Sequence, residues 1–291
     1  MITLAVGLVI VAAVFHATWN VLLKAQLDPL LVAGRASWIS AAAWTPLVLV
    51  AWLVSDRPGF SSQAWALAGA SAVLEVAYFV FLSAAYRRGG LTQVYAIARG
   101  TAPLLAVLAG VIILREHLTG LEIAGVVSLL CGLWLVRTPV PAGSATLPAL
   151  VTGMTIAAYS AVDSAGVHAA APWLYGFVVW FLTALLLVPV TALLAQNMRN
   201  PAKGAPRAEP AEAGLSWPVA ALIGMLMTWT FLIILIALRL APLAVVAPLR
   251  ESAIVLVTIW GIWRMDERHK VWLRLLGAGL VATGAAIVAV N

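Results

Sequence analysis

The chain has 291 residues, of which 64% are hydrophobic and only 10% are charged. Soluble domains carry about 45–50% apolar and about 25% charged residues, so a soluble domain of this composition would lack the polar surface to cover itself. The same apolar content excludes disorder, and the single cysteine, Cys131, excludes an internal disulfide. The net charge of +6 comes mostly from residues between apolar runs, where orientation and lipid headgroups explain it better than nucleic acid does. We therefore expect a polytopic membrane protein that contacts the lipid bilayer and binds no nucleic acid.

Ten apolar runs follow one another along the chain, each long enough to cross a hydrocarbon core about 30 Å thick as a helix. They cover residues 2–23, 30–54, 64–86, 92–114, 119–137, 147–169, 173–195, 216–238, 243–263 and 271–290. The longest connection, at 196–215, is rich in Pro, Ala and charged residues and is expected to be an exposed loop. The sequence therefore predicts an all-α membrane protein with ten transmembrane helices.

A second composition break at 138–146 divides the chain into two sets of five runs, 1–137 and 147–291. An offset of 151 residues aligns Arg99 with Arg250 and Glu116 with Glu267, and an offset of 143 aligns other polar positions of the first and sixth runs. Since five crossings is an odd number, the second set must enter the membrane from the opposite side. This predicts two inverted five-helix repeats around a central cavity. Glu116 and Glu267 follow the fourth and ninth runs, where solvated or helix-capping carboxylates are expected.

Three stretches of the first half, and their counterparts in the second half, resemble the EamA-type transporters of the drug/metabolite transporter superfamily. In the first half they are Ala17-Thr18-Trp19-Asn20 leading to Lys24; Ala84-Ala85-Tyr86 with Leu91-Thr92-Gln93-Val94; and Pro103, Glu116, Leu118-Thr119, Gly125 and Gly132. The counterparts are Ala237-Leu238-Arg239, Glu267, Gly277 and Gly284. The sequence departs from the family where Arg115 and Asp266 replace the usual Gly and Ile254 replaces a proline.

This resemblance implies ten helices in two five-helix copies, a central cavity, and transport of small metabolites, often amino acids. It implies no enzymatic activity and no cofactor. We expect an exporter of amino-acid-like zwitterions or other organic anions, located in the bacterial plasma (inner) membrane as a monomer or homodimer. Protons are a candidate coupling ion.

Six charged residues lie well inside the apolar runs, where each would cost roughly 2.5–3.5 kcal/mol if it faced lipid. They are Arg35, Glu75, Arg99, Asp163, Arg250 and Glu251. A shared polar interior in a ten-helix bundle is most simply a translocation cavity, in which the arginines attract an acidic group and the carboxylates hold an amine or a proton. The alternative is structural: Arg99 and Arg250 pair with Glu75 and Glu251 and hold the two copies together.

Neutral side chains complete the candidate substrate site. His16 and Asn20 are four residues apart on one helix face with Trp19 beside them, and Tyr159 and Asp163 repeat the spacing. The remaining candidates are aromatic: Tyr78, Tyr95, Trp38, Trp180 and Trp229. For His16 a core hydrogen bond, and for each deep Trp simple packing, is the alternative to contact with substrate.

Two other functional classes remain open at this stage. An intramembrane enzyme would need a catalytic constellation, but neither His-Glu-x-x-His nor Gly-x-Ser-x-Gly occurs. A channel or a sensor would more often show a filter segment. No Gly-x-x-x-x-Gly-Lys-Ser/Thr motif is present, so a gradient or substrate exchange is the expected driving force.

The loop charges predict an orientation. Apart from Arg35, Arg99 and Arg250, three Lys or Arg residues fall in even-numbered connections and eleven in odd-numbered ones. The positive-inside rule therefore places the odd connections in the cytoplasm and both termini outside, whereas the family resemblance suggests cytoplasmic termini.

A reporter enzyme fused after Asn291 tests this orientation. If the loop charges decide it, a reporter that works only outside the cytoplasm should be active in this fusion, and one that works only inside should be silent. The reverse pattern would show that the family topology prevails.

Overall fold

The computed structural model describes residues 2–26, 28–89, 91–137, 143–199, 216–251 and 271–290. These ranges contain ten α-helices: α1 Ile2–Lys24, α2 Pro29–Val54, α3 Ser62–Arg88, α4 Leu91–Leu108, α5 Gly120–Arg137, α6 Thr146–Ala169, α7 Pro172–Arg199, α8 Trp217–Leu240, α9 Leu243–Arg250 and α10 Val271–Val290. A π-helical turn, Ala109–Ile113, continues α4, and a 3₁₀ turn, Gly143–Ala145, precedes α6. The described chain is all-α, as predicted.

Local sequence explains where several helices begin. Asp28 accepts hydrogen bonds from the Leu30 and Leu31 amides at 3.0 and 3.2 Å, and Pro29 occupies the first turn of α2. The start of α5 is a capping box: the Glu122 carboxylate accepts from the Thr119 amide, and the Thr119 hydroxyl accepts from the Glu122 amide. These caps satisfy amides that lipid could not hydrogen-bond.

The predicted runs agree with the helices to within a few residues, with informative exceptions. Within the described ranges, six helices are long and apolar enough to cross a membrane, and three shorter apolar stretches end at Ile113, Leu135 and Val290. The seventh run was ended too early, since α7 continues to Arg199 where a loop from 196 was expected. The end of the ninth run, 252–263, and Glu267 lie outside the described residues.

The largest helix–helix contacts recur when α1–α5 are exchanged with α6–α10. Helix α3 packs on α6 as α8 packs on α1, and α2 contacts α8 as α7 contacts α3. The pairs α2–α7, α4–α9 and α5–α10 join each helix to its own counterpart. This symmetry supports the predicted division into two five-helix repeats, which stays a prediction.

Helices α5 and α10 touch along their backbones through glycines. A Cβ atom added at Gly132 would lie 2.6 Å from the Gly277 carbonyl oxygen and 2.7 Å from the Val281 amide nitrogen, both rigid backbone atoms. Small residues at such contacts let helices approach closely where lipid offers no hydrophobic drive for association. The glycine-rich fifth helix noted in the sequence is therefore a packing surface.

Glu116 joins the two halves on one face of the bundle. Its carboxylate accepts hydrogen bonds from the Leu243 amide at 2.6 Å and the Ala244 amide at 2.9 Å, so it caps the N-terminus of α9. A carboxylate at this end of a helix is stabilised by the helix dipole. Helix capping by Glu116 is thus confirmed, and the capped helix belongs to the other half of the chain.

We expect Gly132→Ala to lower the free energy of unfolding by about 1–3 kcal/mol, because the new methyl group collides with backbone that cannot move aside. Thermal unfolding of the detergent-purified protein measures this change. The matched control is Gly279→Ala, since a Cβ there meets nothing within 4 Å. Equal melting temperatures for the two variants would contradict the close α5–α10 contact.

Candidate functional site

A cleft that is partly open to the surroundings lies where α1, α3, α6, α7, α8 and α9 meet. Its polar lining consists of His16, Glu75, Tyr159, Ser160, Asp163, Thr230 and Arg250. Its apolar lining consists of Trp19, Tyr78, Phe79, Trp180, Met227, Phe231, Ile234 and Leu238. We call this cleft the central cavity, and it draws its lining from both halves of the chain.

As predicted, His16 and Asn20 lie on the same face of α1 and their side chains contact each other. The Asn20 side-chain amide donates to the His16 ring at 2.9 Å and to the His16 carbonyl at 2.8 Å. The Tyr86 hydroxyl reaches the Asn20 carbonyl oxygen at 3.4 Å. The Arg99 guanidinium also contacts Nε2 of His16, and because a guanidinium can only donate, this nitrogen is the acceptor. His16 therefore holds Arg99 from α4, while Trp19 packs edge-on against its ring.

Two arginines converge on one glutamate at the end of α9. Arg99 donates to the Glu251 carboxylate at 2.9 Å, and the Arg250 Nε lies 3.7 Å from the same oxygen. The side chains of Arg99 and Glu251 are only 3% and 2% exposed, so this is a buried ion pair that joins the two halves. The prediction that both arginines pair structurally is right for Glu251 but wrong for Arg99 with Glu75. Only the fold brings positions 99 and 251 together.

Asp163 is held by two hydroxyl groups that the sequence did not single out. Ser71 of α3 donates to its Oδ1 at 2.6 Å and Tyr175 of α7 at 3.0 Å. The Tyr175 ring reaches this position because it lies against Gly166, where any Cβ would collide with the ring. Asp163 thus has its hydrogen bonds supplied from two neighbouring helices.

Glu75 is placed differently. It is 4% exposed, lines the central cavity, and makes no hydrogen bond to any residue that the structure describes. Arg250 is the opposite charge that acts on it, and Asp163 adds a like charge. Glu75 is therefore a buried carboxylate that faces the cavity and still has its oxygens available.

Three buried donors around the cavity also lack a hydrogen-bond partner among the described residues: the Trp19 indole, the Tyr78 hydroxyl and the Arg250 Nε. Arg250 does reach Ser160 through its Nη1, at 3.4 Å. Unpaired buried donors are costly. A bound molecule with oxygen acceptors would satisfy them.

Most of the predicted site residues come together, but a few do not. Arg35 is half-buried and its guanidinium lies 5.2 Å from the centre of the Trp217 ring, near the start of α8, so the expectation that all six charges share one interior is wrong for Arg35. Trp38 and Trp229 are 45% and 44% exposed and pack on Phe181 and Trp44, away from the cavity. The side chain of Tyr95 lies outside the described residues.

These misplacements have one physical cause. The helices are apolar on all sides, so depth along a helix can be read from sequence whereas the direction of a side chain cannot. Arg35 lies less than two turns from the start of α2, and a long side chain there can extend towards the interface.

The sequence reasoning also missed Ser71, Tyr175, Phe79 and Phe231. Ser71 precedes Glu75 by four residues, a same-face spacing that could have indicated it. Phe79 follows Glu75 by the same spacing, whereas Tyr175 and Phe231 carry no such indication. Among the described residues, no three His, Cys, Asp or Glu side chains group as a metal site requires.

Comparison with known proteins agrees with this architecture. Residues 3–138 match the EamA-like transporter family. A solved structure, described only as the crystal structure of a protein, is similar over 98% of this chain and 97% of its own, with a TM-score of 0.68 and 16% sequence identity. At that identity the likeness shows the fold alone. No curated protein sequence matches the chain.

The buried ion pair makes a testable prediction. We expect Glu251→Gln to destabilise the protein by about 3–5 kcal/mol, because it leaves two buried guanidinium groups without their shared counter-charge. The double variant Arg99→Met/Glu251→Leu should recover much of that loss, since it removes both charges together. Thermal unfolding in detergent measures both, with the exposed Asp56→Asn as control. Equal losses in the single and double variants would contradict the pairing.

Proposed function

Because residues 3–138 match the EamA-like transporter family, we propose that this multi-pass membrane protein is a secondary transporter of small polar metabolites. The substrate binds in the central cavity, and the two halves of the chain rock against each other to expose it to one side of the membrane and then to the other. The transporter resides in the bacterial plasma (inner) membrane and exports its substrate.

The observation that carries this proposal is the composition of the central cavity. Polar groups from α1 and α3 of one half face polar groups from α6 and α9 of the other. Ionisable residues inside a membrane protein are costly and mark substrate or ion pathways. A cavity between two halves, lined by charges and unpaired donors, is what alternating access requires.

The lining offers complementary groups for the expected substrate classes. Arg250 presents a guanidinium group beside Ser160 whose Nε makes no hydrogen bond to a described residue, which suits an acidic group. Glu75 presents a carboxylate without a hydrogen-bond partner, which suits an amine or a proton. The aromatic rings between them suit an apolar body. Amino-acid-like molecules combine these features, and protons are the candidate coupling ion.

We propose that two contacts between the halves control the rocking of one half against the other. The Arg99–Glu251 pair and the Glu116 cap both link the first half to α9 of the second. Both contacts are formed in the described state, and we propose that each rearranges when the cavity opens to the other side.

We expect Asp163→Asn and Arg250→Met to reduce transport at least tenfold, because each removes a charge that organises the cavity, while insertion into the membrane persists. A thermal-shift screen of amino acids and organic anions first finds a ligand that stabilises the purified protein. Uptake of that ligand into proteoliposomes then measures flux. The matched control is Arg88→Gln, an exposed arginine that bonds only a backbone carbonyl of its own helix. Wild-type rates in both cavity variants would refute the site.

A further inference from the structure

Among the residues that the structure describes, the charges inside the bundle do not balance. In the middle of the described spans there are two positive side chains, Arg99 and Arg250, and three negative ones, Glu75, Asp163 and Glu251. His16 accepts a hydrogen bond from Arg99 and adds no charge in that arrangement. The ninth run beyond the described residues, 252–263, contains no charged residue in its sequence. One negative charge is therefore in excess.

An uncompensated charge is expensive in a low-dielectric interior, so something positive must accompany it. Glu251 is already shared by two arginines, and Asp163 accepts hydrogen bonds from Ser71 and Tyr175. Glu75 alone of the three carboxylates lines the cavity without a hydrogen-bond partner among the described residues. The compensating positive charge therefore belongs at Glu75.

The surroundings of Glu75 favour an organic cation. Six aromatic side chains line the same cavity: Trp19, Tyr78, Phe79, Tyr159, Trp180 and Phe231. The faces of aromatic rings attract ammonium groups, by about 2 kcal/mol or more when the site is desolvated. The Tyr78 ring packs edge-on against both Phe79 and Tyr159, which keeps these rings close to Glu75 on α3.

The unpaired donors add a second requirement. The Trp19 indole N–H and the Tyr78 O–H can only be satisfied by an acceptor that the described residues do not provide. A hydroxyl, carbonyl or ether oxygen would satisfy them without adding negative charge. A carboxylate would satisfy them too, but it would restore the excess negative charge that the ammonium had cancelled.

We propose, on the basis of the transport function above, that the substrate is a small amine with a net charge of +1, an apolar or aromatic body and a neutral oxygen acceptor. Its ammonium group displaces one proton from the Glu75 carboxyl: Glu75–COOH releases H⁺ to water, and the carboxylate then pairs with the incoming R–NH₃⁺. The charge inside the bundle is the same before and after the exchange. This proposal replaces the zwitterions and anions considered above with cations, because Arg250 already lies against Glu251 and the excess charge is negative.

Titratable and charged side chains from four other helices, together with Tyr78 of α3, influence this exchange of a proton for an ammonium group. They are His16 of α1, Tyr159 and Asp163 of α6, Tyr175 of α7 and Arg250 of α9. The charge of Asp163 attracts a cation bound at Glu75, and the charge of Arg250 repels it.

Three probes with the same aromatic ring and different charge test the proposal on the full-length protein in detergent. L-Phenylalaninol carries +1 and a hydroxyl, L-phenylalanine is a zwitterion, and 3-phenylpropionate is an anion. We expect phenylalaninol to bind at least about tenfold more tightly than the other two. Calorimetry in two buffers of different ionisation enthalpy should show about one proton released for each phenylalaninol bound.

Variants separate Glu75 from the other carboxylates. Glu75→Gln should abolish both phenylalaninol binding and proton release, whereas Glu122→Gln, a buried carboxylate in the α5 capping box, should leave both unchanged. Tyr78→Phe removes the unpaired hydroxyl without altering the ring and should weaken phenylalaninol binding more than it weakens phenethylamine binding. Thermal unfolding of each variant checks that it is folded.

The outcomes are distinct. Tighter binding of phenylalanine or phenylpropionate, phenylalaninol binding without proton release, unchanged binding in Glu75→Gln, or binding of none of the three probes would each overturn the cation assignment. If the zwitterion or the anion binds and crosses proteoliposome membranes, the transport function stands and the assignment to cations falls. If phenylalaninol binds with proton release but no ligand crosses the membrane, the assignment stands and the transport function falls.

Discussion

The need to compensate charge inside an apolar bundle is the constraint on which the centre of this protein depends. Arg99 and Glu251 come from opposite halves of the chain and meet at 2.9 Å with almost no exposure. Either charge left alone would cost several kcal/mol, so the two halves are held in register by the pair. His16 contacts Arg99 and Arg250 lies beside Glu251, so the ion pair positions two residues that line the central cavity.

The close approach of backbones supplies the frame around these charges. In a membrane, helices gain no hydrophobic energy by leaving lipid, so contact area and fit decide which helices pair. The glycine contacts of α5 and α10 let two backbones meet, and Gly166 gives the Tyr175 ring room to reach Asp163. Glycines therefore have two roles: they let α5 and α10 pack closely, and Gly166 lets Tyr175 hydrogen-bond to Asp163 in the cavity.

Candidate residues on α1, α3 and α6 were predictable because polar side chains are conspicuous in apolar runs and a spacing of four puts them on one face. Arg35, Trp38 and Trp229 were not predictable in the same way. Their helices are apolar all round, so nothing in the sequence reports which side faces the cavity. The exposed positions of Trp38 and Trp229 follow from helix rotation, which only packing sets.

The sequence by itself determined that the chain is an all-α membrane protein, where most of its helices begin and end, and which charges lie deep in the apolar runs. Composition and run length suffice for this, because the bilayer imposes length and internal hydrogen bonding on each span. Only the tertiary structure decided which charges meet. Arg99 and Glu251 are 152 positions apart in the chain, and Ser71 and Asp163 are 92 positions apart. Their contacts leave Asp163 hydrogen-bonded, Glu251 shared by two arginines and Glu75 open to the cavity.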